Sequence, residues 1–160
     1  MPLLKKRTKL QKLVAVCEQF HESLNEVPDS KAEKLLDNWK SIRGVYQNHP
    51  PGVKPSQLAS GLEQGLLELP MLIASIAEPH RARVAQALHV AIQVEFPSFL
   101  ATQEARLSKI RGRGRISTES EFMLVRHAID ILEGEQNKPA VLSDLYELIE
   151  AFEARGGRAA

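Results

Sequence analysis

Thr118-Glu119-Ser120-Glu121-Phe122-Met123-Leu124-Val125-Arg126-His127-Ala128-Ile129-Asp130-Ile131-Leu132-Glu133 is the stretch that decides the fold. It opens as a capping box, in which Thr118 accepts from the backbone N–H three residues on and the Glu121 side chain reaches back. Phe122, Val125, Ile129 and Leu132 then recur at three- and four-residue steps, with Leu124, Ala128 and Ile131 widening the stripe. A half-buried strand would alternate with period two, whereas these steps line up one face of an α-helix. Gly134 stands where such a helix would end.

The same pattern extends in both directions. Downstream, a helix begins near Pro139 and carries Leu142, Leu145, Tyr146, Ile149 and Phe152, before Gly156-Gly157 releases a short tail. At the other end of the chain, Leu10, Leu13, Val14, Cys17, Phe20 and Leu24 form a stripe within a helix from about Leu4 to Glu26, which Pro28 stops. Ser30-Lys31-Ala32-Glu33 reads as a further capping box, opening a helix with Ala32, Leu35, Leu36, Trp39, Ile42 and Tyr46 on one face. Ser56 is the expected cap of a third helix, in which Gly61 and Gly65 would admit a closely packed neighbour and Pro70 would kink or restart the chain. Pro79 and Pro97 punctuate the middle of the chain, giving a helix with Val84, Leu88 and Ile92 and another from about Ser98 to Ile110. Arg111-Gly112-Arg113-Gly114-Arg115 is expected to break that helix as a loop.

The predicted fold is all-α, with six or seven helices in an irregular bundle. It divides into an N-terminal helical hairpin (1–47), a Pro-rich linker (48–55), a helical body (56–155) and a tail (156–160), together one compact domain. Composition agrees: 21 leucines and 17 alanines outnumber 19 isoleucines and valines, and aromatics are 5%. With 43% hydrophobic residues and a net charge of +1, the chain has too much apolar content for disorder. The lone cysteine, Cys17, cannot form an internal disulfide, so a reducing compartment is expected. Charges resume at Lys9 and Lys12 after the basic start, unlike a signal peptide, and no apolar run approaches the ~20 residues that span a bilayer. A cytoplasmic location is the resulting expectation.

Sequence motifs point away from chemistry. There is no HExxH, no CxxC, no GxSxG and no phosphate-binding glycine pattern. Cys17 and His21 share a helix face, but that face is apolar and reads as core. No catalytic residue, metal or cofactor is therefore expected. An enzyme site assembled from distant helices, for instance around His80, His89 or His127, stays as a second alternative.

Charge is unevenly distributed. Residues 104–115 carry Arg106, Lys109, Arg111, Arg113 and Arg115 against Glu104, while residues 117–154 hold nine acids against Arg126 and Lys138. Arg111, Arg113 and Arg115, with Lys109, form the first candidate site, since guanidiniums clasp carboxylates or phosphates bidentately. The leading expectation is a non-enzymatic adaptor, regulator or inhibitor that meets an acidic partner protein through these residues. Nucleic-acid binding by the same arginines is the first alternative. Against both stands internal pairing of the arginines with the acidic C-terminal helices. Lys5, Lys6, Arg7 and Lys9 form a second candidate patch. Homodimerisation through the Gly61/Gly65 face or the hairpin is a further expectation.

Overall fold

The computed structural model describes residues 6–133 and 138–156; Lys5, Gly134 and residues 157–160 of the tail lie outside the described residues. Among the described residues there are seven α-helices and no strand: α1 (Lys9–Ser23), α2 (Ser30–Gln47), α3 (Pro55–Ala74), α4 (His80–Glu95), α5 (Pro97–Arg113), α6 (Glu119–Glu133) and α7 (Pro139–Ala154). A 3-10 turn, Leu24–Glu26, comes directly after α1. None of these helices is long and apolar enough to cross a membrane.

Helix α1 starts at Lys9 rather than near Leu4, because Thr8 caps it in a reciprocal box with Gln11, and four further expectations about helix ends and breaks also differ. Asp29, not Ser30, caps α2: its Oδ1 accepts from the N–H groups of Lys31 at 2.9 Å and Ala32 at 3.0 Å. A carboxylate at a helix N-terminus also gains from the dipole, which a hydroxyl does not. Lys54, not Ser56, caps α3, because Pro55 needs no N–H partner and its fixed φ starts the helix two residues earlier. Pro70 does not restart the chain. It sits inside α3, where Leu66, Leu69 and Ile73 are buried on either side of it, so packing holds one continuous helix although the Leu66 carbonyl loses its usual donor.

The fourth of these differences concerns the arginines. Arg111-Gly112-Arg113 is not a loop but the last turn of α5. The helix stops at Gly114, whose φ of +77° only glycine adopts readily, and whose N–H reaches the Ile110 carbonyl at 2.9 Å. Ile110 and Ile116 bracket this turn, and both are buried. No helix of the same chain packs closely on Gly61 or Gly65: a Cβ built on either glycine meets nothing within 4 Å.

Two cores result. The larger gathers α1 to α4 around Leu13, Phe20, Leu66, Ile73 and Leu88, so the N-terminal hairpin shares its core with α3 and α4. The smaller joins the end of α5 to α6 and α7 around Ile110, Val125, Ile129, Leu145 and Phe152. Fully burying one such side chain stabilises by roughly 1.5–3 kcal/mol. Helix α6 touches both: it packs on α7 and on α3 and α4, Ile131 rests against the larger core, and Gln86 Nε2 donates to the Ile131 carbonyl at 3.1 Å.

Replacing the α2 cap checks this assignment. In urea unfolding, Asp29→Ala is expected to lose about 1 kcal/mol, and Ser30→Ala to change stability by only a few tenths.

Candidate functional site

The basic end of α5 is largely engaged within the protein. Arg113 Nη2 lies 2.5 Å from Glu121 Oε1 and 2.6 Å from the Arg115 carbonyl oxygen, to which its Nε also donates. The same Glu121 oxygen accepts from the Ser117 N–H at 2.7 Å, and Thr118 Oγ1 accepts from the Glu121 N–H at 3.1 Å. Burial pushes the Glu121 carboxyl up, but the bonds from Arg113 and Ser117 outweigh it and hold its pKa below the usual value. Arg111 Nη2 meets Asp144 Oδ2 at 3.3 Å on α7, and Arg106 Nη2 meets Ser120 Oγ at 3.3 Å. Among the described residues, Lys109 and Arg115 are exposed and form no ion pair.

The second basic patch is also engaged. Arg7 holds Glu95 at 2.6 Å and also donates to its carbonyl, tying the start of α1 to the end of α4. Lys9 reaches Glu63 of α3 at 2.7 Å, and Lys6 is exposed.

Between the two cores runs a groove of about 770 Å³, walled by α3, α4, α5 and α6 and closed at one edge by the start of α7. Leu88 and Ile92 of α4, Phe99, Leu100 and Leu107 of α5, and Met123 and Leu124 of α6 line it. On the α3 lip, Leu67 and Met71 remain 42% and 55% exposed. The charged members of the rim are Arg106, Arg111 and Lys138 with Glu68 and Glu104. Sequence periodicity could not reveal this groove, because it joins four helices whose order in space the sequence leaves open.

The groove also brings together two of the three histidines singled out from the sequence. His89 and His127 both line it, and His80 does not. His127 is held neutral, its pKa lowered to about 4 by burial and by the neighbouring His89. Its Nδ1 is sealed off with no hydrogen-bond partner. Cys17 and His21, by contrast, are core residues: His21 Nδ1 lies 2.7 Å from the Cys17 carbonyl oxygen, its ring stacks on Trp39, and burial raises the Cys17 thiol to about 12. Among the described residues, no group of three or more His, Cys, Asp or Glu side chains is placed to hold a metal ion.

One turn from His127, Asp130 is almost wholly buried, and neither carboxylate oxygen has a hydrogen-bond partner. Arg126 Nη2 lies 3.5 Å away. Burial raises the Asp130 pKa more than Arg126 and Arg81 lower it. No protein-family model, no curated protein and no solved structure matches the chain.

These two α6 residues set opposite pH trends. Asp130 favours its protonated form in the fold, so its contribution is complete below the ordinary carboxylate value of 3.8 and is lost as pH rises past it. Asp130→Asn should therefore melt about 2–4 °C higher at pH 7 and gain nothing near pH 3.5, read by circular dichroism. His127 favours its neutral form, so stability present above pH 6.5 should decline as pH falls towards 4, and His127→Phe should flatten that limb.

Proposed function

We propose that this protein is a non-enzymatic, cytoplasmic interaction module, an adaptor or regulator that docks a partner protein in the groove between α3, α4, α5 and α6. The observation that carries this reading is the groove itself, an apolar trough with Leu67 and Met71 bare on its lip. Rimmed apolar depressions of this kind mark interaction sites on soluble proteins, and an amphipathic helix laid into a groove is a recurrent mode of recognition. The acidic partner expected from the sequence fits the same place, since Arg106, Arg111 and Lys138 stand on the rim. The role of the α5 arginines is thereby reshaped. Arg113 serves the turn into α6, and Arg111 offers its charge to the groove from a weak, exposed pair with Asp144.

Placing charge on the lip tests this. Leu67→Asp with Met71→Asp should leave the helical spectrum and melting temperature unchanged, because both side chains are exposed. It should abolish binding of a partner that the purified wild-type chain binds directly. Undiminished binding by the double variant sinks the groove as the contact. Capture that disappears on nuclease treatment would point instead to nucleic acid on Lys109 and Arg115.

A further inference from the structure

The shape of the groove selects among occupants. Leu67 and Met71 belong to its wall yet stay 42% and 55% exposed, so an occupant that fills the groove must also cover this lip. These two side chains stand four residues apart on α3, the spacing of the ridge that a packed helix accepts between its own side chains. The α5 lip changes sign along its length: Glu104 lines one point and Arg111 another, about 10 Å further along the helix. Lys138 adds a second cation to the rim.

Among the described residues that line the groove, the buried side-chain polar atom without a hydrogen bond is His127 Nδ1. His21 shows how a buried helical histidine is ordinarily satisfied, through Nδ1 and the carbonyl one turn back. His127 makes no such contact, although its Nδ1 is sealed from solvent. A walled-in lone pair is less costly than a walled-in N–H, so the ring proton belongs on Nε2 and Nε2–H is the donor His127 can offer. Because burial keeps the ring neutral, it meets an occupant as a single hydrogen-bond donor rather than as a cation.

We propose that the groove takes an amphipathic helix of a partner protein whose apolar face carries one hydrogen-bond acceptor, a hydroxyl or carboxamide, that meets His127, and whose acidic end lies against Arg111 and Lys138. This rests on the docking reading above and names the chemistry of the partner. Leucines at i, i+4 and i+7 of the occupant would fill the apolar walls, and the acceptor between them would end the isolation of the His127 ring.

The test uses synthetic helical peptides of about four turns with leucines at i, i+4 and i+7, glutamates at one end, and Ser, Gln, Ala or Val at i+3. Fluorescence-anisotropy titration of the full chain should show the Ser or Gln peptide binding about fivefold more tightly than the Ala peptide, the worth of one hydrogen bond. In His127→Phe that preference should vanish while the Ala peptide still binds; in His127→Gln, which keeps a donor, it should persist. Melting curves establish that each variant folds, and the Gln variant keeps the test decisive if the Phe variant does not. A preference retained in His127→Phe, or absent from the wild type although the peptides bind, overturns the role of His127 and leaves groove docking intact. Equal binding to the wild type and to the Leu67→Asp/Met71→Asp double variant overturns both. Displacement of the peptides by dodecanoate at lower concentration than any peptide requires makes the occupant a lipid chain and overturns the proposal.

Discussion

Helix α6 packs on two sides at once, and the remaining architecture depends on that. Val125 and Ile129 face α7 and the smaller core, Ile131 rests on the larger core, and the Ile131 carbonyl accepts from Gln86 of α4. An ordinary surface helix buries one stripe and solvates the other. Here both flanks are covered, so the polar residues between them are drawn inward: Asp130 is buried with no hydrogen bond beyond the ion pair with Arg126, and half-buried His127 has its Nδ1 sealed without a partner. Such groups oppose the fold, and each does so in the protonation state that its surroundings disfavour. The seam between the cores is thus held by apolar contact and strained by polarity.

Electrostatics obeys the same geometry. The strong asymmetry of the sequence, basic through 104–115 and acidic beyond, is folded back on itself: Arg113 to Glu121 across the turn into α6, and Arg111 to Asp144 on α7. The basic start of the chain is treated likewise through Arg7–Glu95 and Lys9–Glu63. Exposed pairs of this kind are worth little individually. Their effect is to orient helix ends, and among the described residues they leave Lys109 and Arg115 as the unpaired part of the α5 cluster. The apolar groove, not the charged turn, is therefore the feature that the fold leaves unsatisfied.

Much was legible in the sequence. The capping chemistry at Thr118, the leucine-rich stripes and the prolines at element edges gave six or seven helices and placed most of their ends to within a few residues, because these are interactions between near neighbours in the chain. Where expectation failed locally, a tertiary cause is visible. Pro70 stays inside α3 because Leu66, Leu69 and Ile73 are buried around it, and Arg111 to Arg113 stay helical because Ile110 and Ile116 anchor both ends of the turn. At Asp29 the competing caps were adjacent, and the carboxylate prevailed over the serine hydroxyl.

The sequence by itself determined the class of fold, the helices and the charge distribution, since periodicity, capping and composition act over a turn or two of chain. Only the tertiary structure decided that the chain builds two cores joined through α6, that the Gly61/Gly65 face is open, and that His89 and His127 share one groove with Leu67, Met71 and Arg111. Those residues are separated by up to 60 positions, from Leu67 to His127. Contact between them depends on which faces of which helices find one another, and amphipathic stripes are nonspecific about their partners.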